Sequence, residues 1–298
     1  MSGMSAALAA RIREVGNDLP AVATLYADAQ PAPDGDAVNL RVDLSYGPHE
    51  RHRLDLFTPT GTAPPGGWPV LAFFHGGGFI RGSKAHRQNI GHFLARHGYA
   101  VVLANYRLAP ESRWPCGPQD VGRVWQWLQD NGQPFSVDPT RIVLMGESAG
   151  AAHVAATALR EAFHPPGWNI RGAVLLSGPY NARLEGKARA QFGIDTPDPR
   201  NEAYFGSDPA QWDSASTVDH VSSAPFALLI GFTQLDLVQM QVQAGELFAR
   251  LVSQHGFNPQ LLVLPDHNHF SQGFSIGTPD TSLSAPLLTF LEAATALT

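Results

Sequence analysis

Arg141-Ile142-Val143-Leu144-Met145-Gly146-Glu147-Ser148-Ala149-Gly150 is the stretch on which the reading of this chain turns. The apolar run Ile142 to Met145 has the length and character of a buried strand. It ends in Gly-x-Ser-x-Gly and passes into Ala151, Ala152, Val154, Ala155, Ala156 and Ala158, which are mostly good helix formers. A strand that becomes a helix within a few residues needs a sharp turn with strained backbone at its apex. Gly146 and Gly150 leave room where a Cβ on either side would collide. Such a turn lifts the Ser148 hydroxyl clear of the sheet and aims a helix N-terminus at whatever that hydroxyl attacks. Gly-x-Ser-x-Gly alone is a combination of common residues. The strand before it and the helix after it give the motif the context of a nucleophile.

The segments around this turn predict an α/β domain. Val70–Phe74, Ala100–Ala104, Ile142–Met145, Ala173–Leu176, Phe226–Ile230 and Leu261–Leu264 are continuous apolar runs. Helical stretches at Ile90–His97, Val121–Asn131, Ser148–Phe163 and Met240–His255 separate them, and Ala285–Ala296 closes the chain. Strands apolar on both faces, alternating with helices, make a parallel sheet between helix layers. Upstream, Val38–Leu40–Val42–Leu44 alternates with period two, and Arg53–Leu54–Asp55–Leu56–Phe57 ends at Pro59. These two predict an antiparallel hairpin at the sheet edge, for a total of about eight strands. Residues 1–298 read as a single domain. Two stretches fall outside the rhythm: 1–35, helix-like then loop-like, and 180–223, where glycine, proline, charge and aromatics mix without a strand-like run. The second is either a cap of short helices over the carboxyl ends of the strands or a surface loop.

Composition narrows the function classes. In 298 residues, 44% are hydrophobic and 15% charged, which suits a globular protein with ample core. The net charge of −6 and the lack of a basic run argue against a nucleic-acid partner. Cys116 is the only cysteine, so no intramolecular disulfide forms, as suits a reducing compartment. Residues 1–10 lack the basic start of an export signal, and no apolar run reaches membrane-spanning length. The expected location is the cytoplasm, with no membrane association.

An alcohol is a poor nucleophile near neutral pH, so Ser148 requires a base, and the base requires an orienting group. On a doubly wound sheet these come from loops at the carboxyl ends of later strands. After Phe226–Ile230 the available carboxylate is Asp236, whose bland role would be to cap the helix that follows. After Leu261–Leu264, Asp266-His267-Asn268-His269 offers two candidate bases and a second acid. Asp266 is nearly adjacent to both histidines, whereas a carboxylate from another loop approaches the far ring nitrogen more easily. His75-Gly76-Gly77-Gly78-Phe79 follows the strand Val70–Phe74 and offers bare amides to an oxyanion, beside the amide of Ala149. His75 reads as structural, bonded to loop backbone. No phosphate-binding glycine motif occupies this turn, and the scattered histidines lack metal-ligand spacing. No cofactor and no metal are expected. Phe79, Phe205 and Trp212 are candidates for lining an acyl pocket.

Taken together, His75-Gly76-Gly77-Gly78-Phe79, Asn105-Tyr106-Arg107-Leu108-Ala109-Pro110-Glu111 and Gly146-Glu147-Ser148-Ala149-Gly150 resemble the hormone-sensitive-lipase-like bacterial carboxylesterases. This is a branch of the α/β-hydrolases, and the similarity runs from about Val42 to Phe270. The resemblance implies the α/β-hydrolase fold with a small cap, formed by 1–35 and 180–223. It also implies hydrolysis of small carboxylic esters through an acyl-enzyme, by a monomer or homodimer. It places the triad on Ser148, Asp236 and His269, which stands in the Asn268-His269-Phe270 setting common in such proteins, and the oxyanion donors on Gly77, Gly78 and Ala149. The Asn105–Glu111 segment would brace the loop near the site. Leu235-Asp236-Leu237 stands where many relatives have Asp-Pro-Leu. The wording Val238-Gln239-Met240-Gln241 also resembles feruloyl-esterase-like and arylformamidase-like hydrolases, which implies an alternative substrate on the same triad.

Overall fold

Eight strands pair into one sheet in the computed structural model, which describes residues 3–30, 37–185, 198–222 and 226–297. They are β1 (Val38–Ser45), β2 (Arg53–Pro59), β3 (Trp68–Phe74), β4 (Ala100–Ala104), β5 (Val137–Glu147), β6 (Gly172–Leu176), β7 (Ala227–Leu235) and β8 (Gln260–Asn268). Their order across the sheet is β1-β2-β4-β3-β5-β6-β7-β8. β1 and β2 form the expected antiparallel hairpin, β2 pairs antiparallel with β4, and the remaining pairs are parallel. This is the α/β-hydrolase architecture.

Side-chain alternation divides the core. Val70, Ala72 and Phe74 of β3 point to one face with Ile142 and Leu144 of β5, while Leu71 and Phe73 point to the other with Val143 and Met145. On the first face lie α4 (Cys116–Asn131) and α5 (Ala149–Leu159). On the second lies α3 (Gln88–Arg96), which contributes Ile90 and Leu94. Each such aliphatic side chain removed from water contributes about 1.5–3 kcal/mol, so the runs must be apolar throughout. The helix expected over Ser148–Phe163 ends at Leu159 and yields to a 3₁₀ turn at Glu161–Phe163. The helix expected from Val121 begins earlier, at Cys116.

Register brings one rim together. Phe74 pairs with Gly146, Glu147 with Leu176, and Leu176 with Gly231. The residues just past these positions, His75, Ser148 and Ser177, therefore share the carboxyl edge of the sheet. Above this edge lie α1 (Ala6–Val15) and α2 (Leu19–Tyr26), separated at Gly16 and each started by a side-chain cap, Ser5 on the Leu8 amide and Asp18 on the Ala21 amide. Their Ile12, Val22 and Tyr26 pack with Leu235, Phe270 and Phe274 from the ends of β7 and β8. In the 180–223 stretch, α6 (Pro199–Phe205) and α7 (Pro209–Ala215) each begin with an aspartate cap followed by proline. Residues 31–36 and 186–197, and Ser223, on which parts of the expected cap fall, lie outside the described residues. Among the described residues no helix is long and apolar enough to cross a membrane.

Candidate active site

Ser148 stands between β5 and α5 with φ 51° and ψ −122°, a conformation that non-glycine residues seldom adopt. The flanking glycines are sterically required. A Cβ on Gly146 would lie 2.4 Å from the backbone of Gly150, and one on Gly150 would lie 2.1 Å from the Phe74 carbonyl oxygen. The Ser148 amide donates to the Leu176 carbonyl at 2.8 Å, which ties the turn to β6. The hydroxyl is thereby fixed at the rim by local geometry and one neighbouring strand.

The structure brings two further groups to that hydroxyl. His269 Nε2 lies 3.0 Å from Ser148 Oγ, and His269 Nδ1 lies 2.7 Å from Asp236 Oδ1. The second carboxylate oxygen of Asp236 accepts from the Ser177 hydroxyl at 2.5 Å and from the Thr233 amide at 3.2 Å. Burial opposes the charge of Asp236, but His269 and these donors hold its carboxyl below the ordinary value. Burial likewise opposes protonation of His269. The charge and hydrogen bond of Asp236 outweigh it and raise the imidazole above its ordinary value, with Glu147 assisting and Arg200 opposing. Asp236 does not cap the following helix, α8 (Val238–His255): Leu237 occupies that position, and the nearest amide that donates to the carboxylate on that side is that of Leu237, before the helix begins.

The rival groups point elsewhere. His267 is buried between the Ser271 hydroxyl, at 2.8 Å from Nδ1, and Asp280, at 3.3 Å from Nε2. Asp266 pairs with Arg13 near the surface. Period two alone would put His267 and His269 on the same face, but the strand ends at Asn268, and His269 beyond it reaches Ser148. Sequence reasoning missed Ser177, Gln272 and Asn17. Gln272 donates to both Ser177 Oγ (2.8 Å) and the His269 carbonyl (3.0 Å). The Asn17 carboxamide accepts from the His269 amide at 2.9 Å and donates to the Leu235 carbonyl at 3.3 Å, joining the loops of both partners of Ser148. Ser177 had a signal in its position directly after the run Ala173–Leu176; Asn17 had none.

The glycine loop after β3 borders the same point. Gly77 and Gly78 have φ 137° and 59°, and a Cβ on Gly77 would lie 2.0 Å from the Arg81 carbonyl oxygen. Among the described residues no acceptor meets the amides of Gly77, Gly78 and Ala149, and all three residues line the cavity over Ser148. His75 is structural as expected: its Nδ1 donates to the Gly76 carbonyl at 2.7 Å, and burial pushes its imidazole down to about 3. Tyr106 stacks on that ring at 4.4 Å and donates to the His75 carbonyl, so the Asn105–Glu111 segment does brace this loop. Beneath the turn, Glu147 forms a buried two-point pair with Arg87, both contacts at 3.0 Å.

The cavity over Ser148 measures about 490 Å³. Phe79 lines it. Phe205 and Trp212 are not among its lining residues, contrary to expectation. Phe205 packs edge-on behind Phe79 at 5.0 Å, and Trp212 is anchored by its indole N–H to the Gly206 carbonyl at 2.7 Å. Leu19, Pro20 and Ala23 of α2 supply part of the apolar wall with Met240 and Phe270. Among the described residues no cluster suited to a metal ion occurs.

Known proteins resemble this chain in sequence and fold. Ethyl acetate hydrolase of Pseudomonas putida is 27% identical over 251 residues, covering 76% of this chain and 74% of that protein. An isoprenylcysteine alpha-carbonyl methylesterase of Arabidopsis thaliana is 38% identical over 122 residues, covering 41% of this chain. The chain spans about a third or less of such curated methylesterases, 28% of that one and 34% of one from Oryza sativa. The structure of a bacterial heroin esterase superposes with a TM-score of 0.77 at 26% identity, covering 99% of each chain. The sequence profile of the α/β hydrolase fold family matches residues 71–269, the larger part of the chain and the part that holds both the glycine loop and His269. The chain belongs to the α/β hydrolase fold family, in its hormone-sensitive-lipase-like carboxylesterase branch.

Proposed function

We propose that this protein is a serine carboxylesterase that hydrolyses small esters, of short or medium acyl length, through an acyl-enzyme. The observation that carries the reading is the continuous line Ser148 Oγ, His269 Nε2, His269 Nδ1, Asp236 Oδ1, with steps of 3.0 and 2.7 Å across the ring. His269 Nε2 takes the hydroxyl proton as Ser148 Oγ attacks the ester carbonyl. Asp236 holds the Nδ1 proton and so presents the unprotonated Nε2 to the serine. The oxyanion forms beside the amides of Gly77, Gly78 and Ala149, and removal of one such donor typically costs about 10²–10³ in kcat. Collapse expels the alkoxide, which takes the proton from His269. Water then attacks the acyl-serine, again through His269, and releases the acid. The raised imidazole suits this double role, since it must both accept and return a proton.

The acyl-length assignment rests on the cavity of about 490 Å³, within the range of small-molecule sites. Similarity to an ethyl acetate hydrolase supports it. A cytoplasmic location belongs to the same proposal, supported by the single cysteine. A fluorophosphonate probe should label the protein and lose its target in Ser148→Ala, and p-nitrophenyl esters of short and medium acyl length should turn over fastest. Faster turnover of long-chain emulsified esters overturns the acyl assignment. Preference for N-formylkynurenine over an aryl acetate would instead make the enzyme an arylformamidase.

A further inference from the structure

The lining of the cavity carries polar groups that the proposed chemistry does not use. Gln239 lies in the first turn of α8, three residues past Asp236, and lines the cavity while only 2% exposed. Its Oε1 has no hydrogen-bond partner among the described residues. A buried carboxamide oxygen left unpaired is costly, and such groups in native proteins call for a reason. Arg200 of α6 lines the same cavity. Asp198 holds it by Nε, 3.1 Å from both carboxylate oxygens, and by Nη2 at 2.7 Å. Nη1 has no acceptor among the described residues. A Cβ on Gly78 would lie 3.0 Å from Arg200 Cδ and 3.4 Å from Nη1, so the guanidinium lies across the glycine loop. Among the described residues the cavity therefore presents a donor, Arg200 Nη1, and a buried carboxamide oxygen, Gln239 Oε1, that nothing uses.

We propose that Gln239 and Arg200 each receive a hydroxyl group of the substrate, so that the preferred esters are those of polyols or hydroxy acids. This deepens the esterase reading of the same cavity and rests on it. A hydroxyl both donates and accepts, so one can pair with Arg200 Nη1 and another with the Gln239 carboxamide in either orientation of the amide. An alkyl chain satisfies neither group. A carboxylate satisfies Arg200 but meets Glu185 and Asp198, which line the same cavity. The Asp198 pair fixes the fork of Arg200 in advance, which lessens the ordering cost of binding a neutral oxygen.

The experiment compares kcat/KM for glycerol monoacetate, n-propyl acetate and monoethyl succinate in the wild type, Gln239→Leu, Arg200→Met and Arg200→Lys. The wild type should favour glycerol monoacetate over propyl acetate by about tenfold or more, the loss expected when site hydrogen bonds go unmade. In Gln239→Leu and Arg200→Met that ratio should fall toward one, mainly through KM for glycerol monoacetate, and Arg200→Lys should restore only part of it. The ratio compares two substrates on one preparation, so partial misfolding of a variant cancels. A wild-type ratio near one, a ratio unchanged in both variants, or preference for monoethyl succinate overturns the subsite while leaving the esterase reading intact. Failure to hydrolyse any of the three esters overturns both.

Discussion

The turn that carries Ser148 and the loop that carries His269 meet at 3.0 Å, yet they are held in place in different ways. The serine is fixed almost wholly by its neighbours in sequence. Gly146 and Gly150 pass within a Cβ of backbone, and β5 and α5 on either side are strongly apolar and buried. The histidine follows the end of an edge strand and owes its position chiefly to distant residues, Asp236 on its ring and Asn17 on its amide, with Gln272 three residues on at its carbonyl. Local steric restriction leaves a signature in a few consecutive residues. A position defined by hydrogen bonds across 33 to 252 residues of chain leaves none.

The largest effect that tests this contrast lies in the two histidines. His269→Ala should lower kcat by about 10⁴–10⁶-fold, as loss of the base does in serine hydrolase triads. His267→Ala should leave turnover per folded molecule near the wild-type level, but lower stability by about 1–3 kcal/mol through the stranded Asp280 and Ser271. Steady-state kinetics with p-nitrophenyl acetate beside thermal unfolding separates the two; a damaging His267→Ala with a mild His269→Ala would reverse the assignment.

Asp236→Asn comes next. The carboxamide presents the wrong group to Nδ1, and kcat should fall about 10⁴-fold. Its pH profile carries a second readout. In the proposed mechanism His269 works only when neutral, so activity should rise with pH through the imidazole titration, which Asp236 holds above its ordinary value. With that charge removed, the acid limb of kcat/KM should move to lower pH. An unmoved limb would mean that another group sets it.

The smallest effect belongs to the link between the loops. Asn17→Ala removes a bridge from the His269 amide to the Leu235 carbonyl, each worth about 1 kcal/mol. It should lower kcat by about three- to tenfold with little change in KM, because Asn17 does not line the cavity. An unchanged kcat would show that Gln272 and Asp236 position the imidazole unaided.

Much of the fold was legible because its causes are periodic. Val70–Phe74 and Ile142–Met145 are apolar on both faces because helices cover both, and that pattern separates them from the alternating edge hairpin at Val38. Periodicity cannot say which strand lies beside which: β4 stands between β2 and β3, an order that no stretch of residues encodes locally. The aromatics illustrate the same limit. Phe79, Phe205 and Trp212 looked alike as candidates, yet of the three only Phe79 lines the cavity, while Phe205 packs behind it and Trp212 is held at the Gly206 carbonyl.

By itself the sequence determined the strained turn at Ser148, the glycine loop with its bare amides, the alternation of strand and helix, and a carboxylate in the right loop. All of these follow from sterics and burial acting over a few residues. Only the tertiary structure decided that His269 and not His267 faces the serine, that Ser177, Gln272 and Asn17 hold His269 and Asp236, and that Gln239 and Arg200 line the same cavity. Those outcomes depend on which distant backbone comes within hydrogen-bonding reach, a quantity set by the packing of the whole sheet and its helices.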